Sequence, residues 1–182
     1  MERRLVEQAM HGDEGAFDAL VDRIGDTLHS VARRILRDTS LAEDATQRAL
    51  LDVWQNLPRL RDPDNFEAWA YRLLVNACHA EARHERRHRD NLRLLPDDEP
   101  SMPDGGTRLA AQDQIDRAFR SLSVEHRTAV VLVHYLDMTS AEAASAMGTP
   151  VGTVRSRLHY ALDSMRATIE ADSRTTAKRG MA

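Results

Sequence analysis

Between Met138 and Met165 the chain leaves itself few conformational choices. Thr139 followed three residues later by Glu142 is a capping box, in which hydroxyl and carboxylate each satisfy an orphan backbone donor. A short Ala-rich helix follows and stops at Gly148, which accepts a left-handed C-cap. Thr149 can cap the next helix, and Pro150 suits its first position, where a missing N–H costs nothing. Val151, Val154, Leu158, Leu162 and Met165 then recur at helical spacing. Arg155, Ser156, His159 and Tyr160 lie around from them. Two helices joined by so short a glycine turn form a helix-turn-helix whose second helix can enter a DNA major groove. An ordinary αα corner has the same local signs, so both readings stand at this point.

The rest of the chain is punctuated in the same way. A first helix runs to about His11, and Gly12-Asp13 breaks it. Asp13 can cap a long helix with an apolar stripe through Phe17, Leu20, Ile24, Leu28, Val31 and Ile35. Ser40 with Glu43 forms a second capping box and opens a helix that Pro58 helps to end. After the polar loop RLRDPDN, Asp64 or Asn65 can cap a fourth helix, which continues as a basic extension to about Arg89. Residues 90–108 hold prolines, glycines and acids and read as a flexible acidic linker. One helix then runs from Leu109 to about Leu122, and Ser123 caps another before the helix-turn-helix. The expected fold is all-α. A four-helix N-terminal domain (1–89) and a C-terminal helix-turn-helix domain (109–171) flank the linker, and a disordered tail spans 172–182.

Composition narrows the function. The single cysteine, Cys78, excludes an internal disulfide and fits a reducing cytoplasm. No apolar run approaches the ~20 residues that cross a bilayer, and MERRLVEQAM lacks the apolar core of a signal peptide. A cytoplasmic location without membrane insertion is expected. The net charge of −4 runs against the basic excess usual in a free-standing nucleic-acid domain. Basic residues nevertheless cluster locally, from Arg83 to Arg93, so DNA binding that depends on a partner is expected.

Three constellations carry chemistry. Asp44, Gln47 and Arg48 share a helix face, with Leu51 and Trp54 continuing near it. From Arg61 through the helix of Phe66 to Arg87, the chain offers what DNA opening needs. Arg61, Arg72, Arg83, Arg86 and Arg87 supply charge, Phe66, Trp69 and Tyr71 supply π surface, and Asn76 carries donors and acceptors. Trp69 reads as core. On the last helix Arg155, Ser156, His159 and Tyr160 suit base edges or the groove wall, Arg157 suits a phosphate, and Thr149 and Thr153 lie at the helix start.

In order and spacing these parts resemble a bacterial RNA polymerase sigma factor of the extracytoplasmic-function (ECF) class. The resemblance covers nearly the whole chain and rests on AEDATQRALLDVWQNL, NFEAWAYRLLVNACHAEAR and GTPVGTVRSRLHYAL. It implies an N-terminal domain that binds the β′ clamp helices of core polymerase and opens the −10 element. It implies a C-terminal domain that binds the β flap and reads the −35 element. Asp44, Gln47, Arg48, Leu51 and Trp54 then become the polymerase face. Arg61, Asn65, Phe66, Tyr71, Arg72, Asn76, Arg83, Arg86 and Arg87 become the −10 surface, with Asn76 at the flipped base. Thr149, Thr153, Arg155, Ser156, Arg157, His159 and Tyr160 become the −35 surface. Arg48 stands where the family usually has an acid, and Tyr160 where it often has arginine. The acids Asp97, Asp98, Glu99 and Asp104 would mimic RNA charge in a polymerase channel. An anti-sigma protein is an implied partner. No cofactor and no enzymatic activity are implied.

Two other classes remain open at this level. A stand-alone helix-turn-helix regulator would bind a palindromic site tightly without polymerase. His84-Glu85-Arg86-Arg87-His88 matches the H-E-x-x-H signature of zinc hydrolases. Zinc also needs a third protein ligand and a dry site, however, and here the flanks are arginines at a polar helix end.

Overall fold

The computed structural model describes residues 3–92 and 110–179, with side chains over 3–90 and 114–171. Among the described residues the chain is helical throughout, with no strand. The helices are α1 (Arg3–Met10), α2 (Glu14–Leu36), α3 (Thr39–Asn56), α4 (Phe66–Leu92), α5 (Ala110–Arg120), α6 (Val124–Val130), α7 (Ser140–Met147) and α8 (Val151–Arg179).

Local chemistry sets most of the boundaries. The Asp13 carboxylate accepts from the Ala16 N–H at 3.0 Å and starts α2. α2 ends at Arg37, which takes the left-handed conformation at φ 61°. α3 opens two residues earlier than expected, because Asp38, not Ser40, is its cap. The Asp38 carboxylate accepts from the Leu41 N–H at 2.9 Å, and the Ser40–Glu43 box is not used. Likewise Asp62, rather than Asp64 or Asn65, organises the approach to α4. It caps a 3₁₀ turn, Pro63–Asn65, that feeds directly into Phe66. α4 runs on to Leu92, three residues past Arg89. The remainder of the expected linker, with its four acids, lies outside the described residues.

The C-terminal half keeps two of its three expected N-terminal caps. Ser123 accepts from the His126 N–H at 3.3 Å, and Thr139 and Glu142 form the complete capping box. Gly148 ends α7 at φ 60°, in the region that favours glycine. Thr149 does not cap α8: its Oγ1 is buried without a partner, and the Pro150 carbonyl accepts the first helical bonds from Thr153 and Val154. Between α6 and α7 the backbone widens into one π turn, Val131–Tyr135. α8 continues through Arg179, so the tail expected to be disordered from Asp172 is helical over most of its length. The Gln114 amide on α5 donates to the Ile169 carbonyl at 3.2 Å and ties the late turns of α8 to α5.

Two apolar cores result. α1 to α4 close around Leu20, Leu28, Ile35, Leu57, Phe66 and Leu74, each at most 1% exposed. α6 to α8 close around Leu132, Ala143, Met147 and Val154. The cores exchange one buried residue each, and the partly buried Phe119, Val124 and Leu136 of the C-terminal half also pack on the first. Val131 packs into the first and Val75 of α4 into the second, so α4 forms one wall of the seam between the halves.

Candidate polymerase and nucleic-acid interface

α3 displays the first surface. Asp44, Gln47, Arg48 and Leu51 line one open hollow of about 460 Å³ with Asp52, Gln55 and Glu81. Leu51 is 59% exposed and Trp54 44%. Large apolar groups at that exposure on a helix otherwise well packed suit a protein contact. Trp54 is held edge-on to Phe17 at 4.6 Å, which fixes the ring's orientation. Arg48 reaches across to Glu81 of α4 at 3.7 Å. The pairing turns an arginine in an acidic setting into part of the α3–α4 contact.

The turn before α4 and α4 itself carry the second surface. Arg61, Asn65, Arg72, Asn76, Arg83, Arg86 and Arg87 are all exposed. The Asn65 amide bonds back to the Asp62 carboxylate, which stiffens the turn. Phe66 must be withdrawn from this surface. It is fully buried at the centre of the first core, packed by α4 starting directly from the 3₁₀ turn, and cannot receive a base. Tyr71 is half-buried and lines a groove between α2 and α4 with Arg23, Thr27 and Glu67, a groove that Asn76 does not line. Burial raises its phenol pKa, with Glu67 and Tyr135 adding to the effect. Trp69 packs against the core, as expected.

The third surface is the start of α8. Arg155, Ser156, His159 and Tyr160 are exposed, Tyr160 at 65%. Ser156 donates to the Thr153 carbonyl at 2.9 Å, and His159 meets Asp163 at 3.2 Å. Tyr160 stands between two imidazoles, 6.4 Å from His126 and 6.1 Å from His159. Thr149, Thr153 and Arg157 are half-buried and stand back from this face. Arg157 lies close enough to His79 and Glu125 to act on the charge of both.

Residues that the sequence did not single out hold the halves together. The His79 imidazole is paired through Nε2 with Thr128 Oγ1 at 3.1 Å. Thr128 donates its only hydroxyl proton to the Val124 carbonyl, so the imidazole Nε2–H is the donor. Burial lowers the His79 pKa, Glu125 opposes that, and Arg83 and Arg157 reinforce it. Glu125 is itself held below the usual carboxylate value. Burial pushes it up, but its own N–H, the Ser123 hydroxyl, His79 and Arg157 together outweigh burial. Arg34 lies 3.9 Å over the Tyr135 ring, and Arg37 meets Asp116 at 3.5 Å. Tyr135 closes the π turn. Cys78 is buried, which pushes its thiol up to about 12 and leaves it inert. His84 and His88 are exposed, and Glu85 is paired with Arg89 at 2.9 Å. Among the described residues no cluster of three such side chains is placed to hold a metal.

Known proteins fit this layout. Sigma-70 region 2 matches residues 20–88, and Sigma-70 region 4 matches residues 112–165. The ECF RNA polymerase sigma factor SigL of Mycobacterium tuberculosis is 30% identical over 171 residues, covering 91% of this chain and 95% of the relative. The chain belongs to the ECF sigma factors. SigM of the same organism is 34% identical over 146 residues, or 80% of this chain and 73% of that protein. Among solved structures, CnrH in complex with the cytosolic domain of CnrY superposes with a TM-score of 0.66 at 27% identity, covering 94% of this chain and 98% of CnrH. The sigma factor RpoE of Bartonella quintana, in complex with the anti-sigma factor NepR, shares the fold with a TM-score of 0.67 at 22% identity, over 86% and 98%. An ECF sigma factor directs RNA polymerase to promoters, so the readings as a stand-alone regulator or a zinc hydrolase are not favoured.

Proposed function

We propose that the three surfaces divide the work of a sigma factor among identifiable residues. The α3 face, with Asp44, Gln47, Arg48, Leu51 and Trp54, docks on the β′ clamp helices of core polymerase. The exposed part of α4 and its preceding turn, with Asn76, Arg61, Asn65, Arg72, Arg83, Arg86 and Arg87, grips and opens the −10 element. Arg155, Ser156, His159 and Tyr160 read the −35 element, and the C-terminal half also meets the β flap. The observation that carries this reading is the α3 face, where two large apolar side chains stand exposed beside a charged hollow. An anti-sigma protein would compete for that same face. The factor works in the cytoplasm and catalyses no reaction of its own. No described helix is long and apolar enough to cross a membrane.

The test is run-off transcription with core polymerase, with and without the protein. A transcript from one start site appears only when both are present. Arg155→Ala keeps core binding and weakens discrimination at one −35 position by ~1–3 kcal/mol, or roughly 5- to 150-fold. Loss of core binding in that variant would remove Arg155 from the DNA surface.

A further inference from the structure

We propose that Arg3 is a positioning residue for promoter opening: from α1 it covers the Asp64 carboxylate in the turn before α4, so that Arg61 and Asn65 of that turn meet DNA without a competing negative charge. The inference rests on the reading of the turn and α4 as the −10 surface.

Between Arg61 and Asn65 the turn carries two acids, Asp62 and Asp64. The Asp62 carboxylate is engaged within the turn, where it accepts from the Asp64 N–H at 3.1 Å and from the Asn65 side-chain amide. The Asp64 side chain faces outward and is 60% exposed. Its partner comes from the other end of the domain. Arg3 Nη1 donates to Asp64 Oδ2 at 2.7 Å. The same guanidinium donates from Nε to Glu7, one turn along α1, also at 2.7 Å. Glu7 thereby fixes one edge of the guanidinium and leaves Nη1 for the turn. Glu7 and Asp64 together hold the Arg3 pKa above its ordinary value, so the cover stays charged. α1 is itself anchored. Val6 and Ala9 are buried in the first core, and the helix packs on both turns, Leu57–Arg59 and Pro63–Asn65.

An exposed ion pair of this kind adds little to the stability of a fold. Its consequence lies in the field that DNA meets. A bare carboxylate about 10 Å from one phosphate repels it enough to change an equilibrium roughly twofold at low salt. Duplex phosphates are dense, about one charge per 1.7 Å of axis. An uncovered Asp64 therefore opposes several of them at once, beside the exposed Arg61 and Asn65. Salt weakens that repulsion, because the screening length falls below ~10 Å above about 0.1 M. An electrostatic cover and a purely structural tie thus differ in their dependence on salt.

The experiment follows open-complex formation by the reconstituted holoenzyme, read as permanganate reactivity of unpaired thymines at the −10 element. Core-polymerase affinity and urea stability are measured beside it. Arg3→Ala should lower the open fraction roughly two- to tenfold at about 50 mM salt and much less at about 200 mM. Core affinity and stability should not change. Asp64→Asn should open promoters as well as the wild type or better. Combined with Asp64→Asn, Arg3→Ala should have no effect, because no charge is left to cover. Combined with Glu7→Gln, the other acid that Arg3 holds, its defect should persist. An equal loss with and without Asp64→Asn would mean that Arg3 touches DNA itself, and would overturn the proposal. Rescue by Glu7→Gln would overturn the role of Asp64. Wild-type opening by Arg3→Ala, or a defect that ignores salt and follows lost stability, would also sink the idea. A wild-type protein that opens no promoter with core refutes the sigma reading instead.

Discussion

His79 carries the one titration in the seam whose direction matters near neutral pH. With the halves packed, burial holds its pKa below the ordinary 6.5, with Arg83 and Arg157 adding to the effect and Glu125 opposing it. Opened or unfolded, the imidazole returns toward 6.5 and binds a proton more readily. The open state therefore gains protons first as pH falls. The contribution of His79 to this packing is complete above about pH 6.5 and is lost progressively below it. Between pH 7.5 and pH 5.5 the wild type should lose stability to urea as His79 is protonated on opening. His79→Gln, which keeps an N–H donor but does not titrate, should give a flat profile; parallel profiles would remove His79 as the source. None of this was legible in the sequence, where His79 and Thr128 stand 49 positions apart. Phe66 was misread for a related reason. An aromatic at a helix start beside a basic loop suits either DNA or a core, and only the path of the 3₁₀ turn decides that it faces inward. The α3 surface was easier to read. Residues three and four apart on one helix share a face whatever surrounds them.

At the scale of elements the readable features are those whose physics is local. The caps at Asp13, Ser123 and Thr139 each involve a side chain and an N–H three residues later, so sequence alone specifies them. The misplaced caps were competitions between near neighbours. Asp38 outbid Ser40, and Asp62 outbid Asp64 and Asn65, because the winning carboxylate stands on extended backbone just before the turn. The π turn had no sequence signal at all. The cap at Thr139 also helps to orient α8, since α7 packs against both α4 and α8. In it the Thr139 N–H and hydroxyl both donate to Glu142 Oε2, at 2.8 and 2.7 Å, and the Glu142 N–H returns to Thr139 Oγ1 at 3.3 Å. Thr139→Ala should cost about 1 kcal/mol in the stability of the C-terminal half, measured by urea unfolding. Thr139→Ser should restore it. A Thr139→Ala protein as stable as the wild type would show that α7 is held by packing alone.

The whole molecule joins a net charge of −4 to two proposed DNA surfaces, on α4 and α8, that lie on separate halves of the chain. The charge lowers affinity for DNA in the absence of polymerase by repulsion. The division into two helical halves was legible because caps and apolar spacing are local. The seam between them was not, because its contacts join residues far apart in sequence and its charges are indistinguishable from solvated ones until the halves meet. The length of the connecting segment limits how far apart the two halves can act. Deleting eight residues from within 93–109 leaves nine, which span roughly 30–32 Å at most. With the halves adding roughly 30 Å each, the shortened chain spans elements about 25 base pairs, or roughly 85 Å, apart only when drawn out straight, whereas the full segment spans them with slack. The shortened protein should still bind core polymerase through the α3 face. It should lose run-off transcription from promoters that depend on the −35 element, and replacing the deleted residues with an equal length of Gly-Ser should recover most of it. If the shortened protein initiates as well as the full chain on the same promoter, reach does not limit the factor, and the two surfaces do not act on one promoter together.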